Sequence, residues 1–140
     1  MIVKTLIFFC AYSVIGWIID TAARSVRARR YVRGGFSRYP FSPIYGFAAL
    51  GIMALAPYVR PWPLWGEWLF FAVVLAAYEY VCGALILRRL GRRLWNYSKD
   101  KWDIDGHTGP IYAAAWGLLA LFTIYLMHPF LERLLVRLAI

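Results

Sequence analysis

The chain has 140 residues, of which 62% are hydrophobic, 19% aromatic and only 16% charged, with a net charge of +9. A soluble domain is about half apolar and about a quarter charged, and here the apolar residues fall in long blocks rather than at helix or strand spacing, which excludes an ordinary soluble core. No soluble module accompanies the positive charge, so nucleic acid is not the partner it points to.

The first block, residues 2–21, has the length of a membrane helix, for which about 17 to 25 apolar residues are needed. It carries Lys4 at its outer end, has no small-residue cleavage site and closes on Asp20, so it reads as a span and not as a signal peptide. Ser13, Trp17, Asp20 and Arg24 recur at helical spacing and share one stripe. Residues 22–42 form a basic loop with Arg24, Arg27, Arg29, Arg30, Arg33 and Arg38. Its last part, GGFSRYPFS, cannot be a regular helix because of two glycines and Pro40. Phe36, Tyr39 and Phe41 make it apolar, either as a re-entrant lid over the acids or as a loop at headgroup level.

The second block, residues 43–59, opens with Pro43-Ile44-Tyr45 followed by Gly46, Ala48, Ala49 and Gly51. The third, residues 64–87, is interrupted only by Glu67 and Glu79. Glu67 falls at the outer end, where a solvated carboxylate costs little and a helix N-terminus favours it. Glu79 lies eight residues before Leu87, about 12 Å along a helix, which puts it within the hydrocarbon. Acids at that depth are functional candidates by default. Ala72, Ala76 and Gly83 share its stripe and let another helix approach closely. Both Asp20 and Glu79 are expected to face the bundle interior and pair with arginines of the loops; the alternative is a salt bridge that only sets helix register.

A second basic loop, residues 88–109, holds Arg88, Arg89, Arg92, Arg93, Lys99 and Lys101. The fourth block, residues 110–127, opens with Pro110-Ile111-Tyr112 followed by Ala113, Ala114, Ala115 and Gly117. The tail, residues 128–140, sets Leu131, Leu134, Leu135 and Leu138 opposite Arg133 and Arg137, as an interfacial helix or as the end of the fourth helix. Twelve of the sixteen basic residues lie in the two loops, so the positive-inside rule places both loops in the cytoplasm and both termini outside an inner cell membrane. There the arginines meet anionic lipid headgroups, at about 1 kcal/mol each. Cys10 and Cys82 fall toward opposite leaflets and are not expected to form a disulfide.

The same order therefore occurs twice: helix, acid, arginines, Pro-Ile-Tyr, small residues. It predicts an all-α integral membrane protein with four transmembrane helices in a single membrane domain over residues 1–140. The four would form two tandem hairpins related by a pseudo-two-fold along the membrane normal. Coincidence is the alternative, since proline is common at the first helical position. The helix starts at Pro43 and Pro110 bring unpaired N–H groups and positive dipole ends to the arginine-rich side, as an anion site requires. Tyr45 and Tyr112 sit in those first turns, as part of the site or of an aromatic belt. Asp103, Asp105 and His107 alternate in a solvated loop and are too weak a pattern to assign a metal. No phosphate-binding, nucleophile-elbow, zinc-protease or Cys-x-x-Cys motif is present, so no catalytic residue and no cofactor is assigned.

The segments SVIGWIID, RRYVRGGF, SPIYGFAAL, LWNYS and DIDGHTGPI resemble the family of putative ABC-transporter type IV (CmpB-like) membrane proteins, over about Ser13 to Gly117. Gly16, Trp17, Arg33, Gly34, Phe36, Pro43, Ile44, Tyr45, Gly46, Glu79, Trp95, Tyr97, Ser98 and Gly106 match its pattern. Asp20 stands where the family has glutamate, Gly35 is an insertion, Asn96 replaces aspartate and Asp103 replaces asparagine. The resemblance implies a transport component. Its expected site for a small or anionic solute comprises Asp20, Glu79, Arg33, Tyr45, Tyr112, Trp17 and Tyr97, in a homo-oligomer or with a partner membrane subunit. The alternatives are a membrane enzyme or lipid-headgroup-binding protein using Asp20 or Glu79 as general base, and a structural or regulatory subunit without a ligand.

Overall fold

The structure, a computed structural model, describes residues 2–35 and 38–138. Phe36 and Ser37, in the middle of the segment read as a lid, and the last two residues of the tail lie outside the described residues. The described chain is helical, with α1 over Ile2–Ala28, α2 over Pro43–Val59, α3 over Leu64–Leu90, α4 over Pro110–Phe122, a π-helical segment over Thr123–Met127 and α5 over His128–Arg137. An isolated bridge, Ile104 with Thr108, folds the second loop on itself.

Apolar blocks mark where a helix crosses hydrocarbon, not where it stops. Accordingly α1 continues past residue 21 through alanines and arginines, which are strong helix formers. It closes with Arg29 in the left-handed region at φ 51°. Arg30 N–H bonds Ser25 O at 3.2 Å and Arg29 N–H bonds Val26 O at 3.3 Å, a Schellman closure with arginine in place of the usual glycine. α3 begins after Pro63 and ends at Gly91, φ 65°, whose N–H reaches Leu87 O at 2.9 Å.

The fourth helix differs most from expectation. α4, the π segment and α5 form one helix of 28 residues, Pro110–Arg137, about 42 Å long. The tail is therefore its continuation and not a separate surface helix. Pro129 explains the π segment. It has no N–H, and in an α-helix its ring would collide with the carbonyl of Tyr125, four residues back. The chain widens before it, and His128 N–H bonds Thr123 O five residues back. His128 lies 3.7 Å from Glu132.

Among the described residues three helices are long and apolar enough to cross a membrane: α1, α3 and Pro110–Arg137. α2 is apolar throughout but has 17 residues, with Pro57 inside it.

The chain divides into two compact units, Met1–Gly51 and Ile52–Ala139, with the boundary inside α2. In the N-terminal unit the start of α2 lies against α1 through glycines. A side chain at Gly16 would overlap the Tyr45 ring, and one at Gly46 would overlap Ser13 and meet the Phe9 ring at 2.8 Å. Ser42 N–H bonds Ser13 O at 3.0 Å, which pins the entry to α2. In the C-terminal unit α3 packs against α4. The Trp68 indole N–H bonds Ala114 O at 3.1 Å, Gly117 leaves room for the Trp68 backbone, and Phe71 and Ala120 are fully buried. Close contact at small residues supplies dispersion energy where lipid removes the hydrophobic drive.

Candidate functional site

In each unit an acid of a long helix receives a hydrogen bond from the basic loop that follows that helix. In the N-terminal unit, Asp20 Oδ1 accepts from Arg24 Nε at 2.9 Å and Oδ2 accepts from Gly35 N–H at 3.2 Å. Thr21 Oγ1 takes Gly34 N–H at 3.0 Å, and the Trp17 indole N–H donates to Gly34 O, also at 3.0 Å. Ser25 Oγ accepts Val32 N–H at 2.9 Å. The loop thus runs back along the last turns of α1. The Arg33 guanidinium lies 6.0 Å from the Trp17 ring centroid, and its Nη2 donates to Arg38 O. Trp17, Asp20, Arg33 and, through Gly16, Tyr45 are all gathered in this unit. The arginine on Asp20 belongs to α1 and not to the loop, because the helix continues past residue 24.

In the C-terminal unit Glu79 is buried, at 5% exposure, and its Oε1 accepts from the Tyr97 hydroxyl at 3.1 Å. The Tyr97 ring stacks on Tyr112 with centroids 3.5 Å apart and planes 12° from parallel. The Tyr112 hydroxyl donates to Asp100 Oδ2. One line of contact therefore runs from the helix acid through two stacked phenols to a loop acid. Tyr112 is in the first turn of α4, so the stack lies at that helix N-terminus.

The rest of the loop holds this arrangement in place. Trp95 indole N–H donates to His107 O at 2.8 Å, and Tyr97 N–H bonds Gly106 O at 2.9 Å. His107, 5% exposed, docks its ring over Gly83, one helical turn beyond Glu79, and edge-on to Tyr80. Burial first, and then the Arg93 charge, hold its pKa below the ordinary 6.5, with Asp105 opposing. Asp105 accepts from Tyr80 at 2.7 Å and Asp103 accepts Gly106 N–H at 2.7 Å, so the alternating acids serve the loop's own turns. Among the described residues no three His, Cys, Asp or Glu are grouped to hold a metal ion, and Cys10 and Cys82 are free.

Asp100 and His107 complete the site and were not among the expected residues. Their signal was Pro-Ile-Tyr itself: Tyr112 needs an acceptor, and the loop acid ten residues before the proline supplies it. Glu67 requires a correction. Instead of being solvated, it is 2% exposed and accepts the Tyr125 hydroxyl on both oxygens, at 2.7 and 3.0 Å. The helix that brings Tyr125 to it runs the full length of residues 110–137.

Three long apolar helices, two of them followed by a basic loop that folds back to bond a helix acid, define a helical membrane protein. Within that class the chain belongs to the family described as Putative ABC-transporter type IV, whose profile matches residues 7–140. No curated protein and no solved structure matches it.

Proposed function

We propose that the chain is a membrane subunit of a transport system, with Glu79, Tyr97 and Tyr112 forming the contact for a small polar or anionic solute. The observation that carries this reading is Glu79 itself. A carboxyl group set in an apolar span is costly unless it is used or neutralised, and here it is held by a phenol stacked on a second phenol, at a helix N-terminus. Such an end offers unpaired N–H groups and positive potential to an anion, while the carboxylate and the hydroxyls take the donors of a polar solute. In this reading α2 is a fourth span, both basic loops are cytoplasmic against anionic lipid of an inner membrane, and both termini are outside. The matched order of acid, loop and Pro-Ile-Tyr supports a tandem pair of hairpins related by a pseudo-two-fold. Assembly as a homo-oligomer or with a partner membrane subunit completes the proposal, since a four-span chain is small for a permease.

A second reading applies to the N-terminal unit. Both oxygens of Asp20 are engaged, by Arg24 and by Gly35 N–H, and Trp17 and Thr21 clasp the same stretch. Those residues position the loop and its arginines, which then meet headgroups or a partner.

The test is mass spectrometry of small molecules retained by the chain purified in mild detergent, wild type against Glu79→Gln and Asp20→Asn. A species lost in Glu79→Gln and kept in Asp20→Asn is expected. Identical retention by all three would leave a structural or regulatory subunit as the better account.

A further inference from the structure

The second loop has an apolar tip that the site described above does not use. Trp102 stands there 72% exposed, with its backbone in the left-handed region at φ 65°. We infer that this tip is a membrane anchor: the Trp102 indole seats in the interfacial layer of the bilayer, and Lys99 and Lys101 beside it bind the phosphates of anionic lipids. The inference goes beyond the solute site and holds whichever side of the membrane the loop faces, so its failure would leave the Glu79 reading standing.

Four observations lead there. The first is depth. A side chain at Gly109, the N-cap residue of α4, would lie 3.3 Å from the Trp102 carbonyl oxygen. The tip is therefore beside the start of a helix long and apolar enough to cross a membrane, where the polar interfacial layer meets the hydrocarbon.

The second is the chemistry of the side chains. Indole has an apolar body and one N–H donor, and tryptophan is enriched at this level of membrane proteins for that reason. The Lys101 ammonium lies 5.1 Å from the Trp102 ring centroid, so cation and indole are presented together. The indole N–H bonds no protein group among the described residues. Ile104, in the same loop, and Ile111, in the first turn of α4, are exposed as well and add apolar surface.

The third is charge. Residues 88–109 contain six Lys and Arg against three Asp. The three Asp are engaged within the unit: Asp100 accepts from Tyr112, Asp103 from Gly106 N–H and Asp105 from Tyr80. Lys99 and Lys101 are exposed, and neither has an ion-pair partner among the described residues. Their stems can lie along apolar surface while the ammonium groups reach phosphate. Such charge favours an anionic lipid surface over a zwitterionic one.

The fourth is the backbone. A bulky residue at positive φ is uncommon and strained. Here the strain holds an indole at the surface, where no hydrogen bond within the chain offsets it. Strain of this kind persists where a side chain must be presented to something outside the fold.

The experiment is fluorine NMR of the full chain carrying 5-fluorotryptophan, in bicelles of phosphatidylcholine and phosphatidylglycerol. The Trp102 line is the one missing from Trp102→Phe, a change at an exposed position that leaves the fold intact. A lipid carrying a nitroxide just below its headgroup should broaden that line several-fold more than a gadolinium chelate dissolved in the water. In bicelles without phosphatidylglycerol the ratio of lipid to aqueous broadening should fall several-fold. In Lys99→Gln combined with Lys101→Gln it should fall likewise and cease to depend on lipid charge. Greater broadening by the aqueous chelate in both lipid mixtures would show the tip in water and overturn the inference. A ratio indifferent to lipid charge and to the two lysines would overturn the binding of anionic headgroups.

Discussion

Gly83→Ala separates a docked second loop from one that merely lies near α3. A Cβ at Gly83 would stand 2.6 Å from His107 Nδ1, 3.1 Å from its Cγ and 3.3 Å from Trp95 Cζ2. The imidazole is rigid, and its backbone is held by the Trp95 bond to His107 O at 2.8 Å. The methyl group therefore displaces the loop rather than a flexible side-chain tip. Overpacking of this kind costs about 1 to 3 kcal/mol. The cost falls on the closed loop alone, because α3 is helical whether the loop is docked or open, and alanine's better helix propensity cancels between the two. At about 1.4 kcal/mol per tenfold, the opening equilibrium should rise about 5- to 140-fold. Amide hydrogen exchange reads this directly. Tyr97 N–H, bonded to Gly106 O, and Ile104 N–H, bonded to Thr108 O, should lose protection by that factor. Gly51→Ala is the control, since nothing lies within 4 Å of a Cβ there; its loop protection should match the wild type. Unchanged exchange over residues 95–108 in Gly83→Ala would refute the docking of His107 on α3, and with it the loop geometry that presents Tyr97 to Glu79.

Three further outcomes follow from the same contacts. His107 has its pKa lowered in the fold, so the folded state binds fewer protons than the unfolded one below about pH 6.5; stability of the loop should be constant above that value and fall as pH drops beneath it. His107→Gln should flatten this dependence, as read by exchange over residues 95–108. Tyr97→Phe leaves buried Glu79 without its phenol donor and should lower stability by about 1 to 3 kcal/mol, whereas Tyr112→Phe, whose acceptor Asp100 is partly solvated, should cost about 0.5 to 1.5 kcal/mol. Equal losses of thermal midpoint in detergent would contradict the difference in burial. Trp17→Phe removes the indole bond to Gly34 O at a cost of about 1 kcal/mol and should speed proteolysis of residues 29–35, with no effect on residues 95–108.

The helices were legible because apolar blocks state their membrane crossings almost directly, and the two Pro-Ile-Tyr starts fall where α2 and α4 begin. Helix ends were less so. α1 continues to Ala28 because alanine and arginine carry a helix into water as well as leucine carries it through lipid, and hydropathy is blind to that. The π segment was hidden for a different reason: Pro129 signals an interruption, but whether the helix stops or widens depends on what packs beside it. Asp20, Glu79 and their aromatic partners were legible as residues, though not in their contacts. The fold of the second loop turns on Trp102 and Asp105 at φ 65° and 52°, conformations that non-glycine residues seldom adopt and that no pattern announces. Glu67 was misread because its partner, Tyr125, arrives from 58 positions away in the chain.

Three carboxyl groups in one small apolar chain show three ways to hold an acid, and the differences assign their roles. Asp20 accepts from a guanidinium and from a backbone N–H, and so ties the loop to the helix. Glu79 has a phenol whose ring is stacked on a second phenol, so the donor can be displaced only by moving the stack. That couples whatever binds the acid to the start of α4. Glu67 has a phenol with no stacking partner among its ring contacts, on a π turn and beneath an arginine that touches only the ring. Asp20 is the acid whose two oxygens both hold the chain's own backbone and helix in place. If function in this chain requires an acid that meets a ligand, it should reside on α3 and not on α1. Asp20→Asn should then loosen the first loop and leave any solute-dependent response of the C-terminal unit in place. A response lost in Asp20→Asn with Glu67 and Glu79 intact would contradict that assignment.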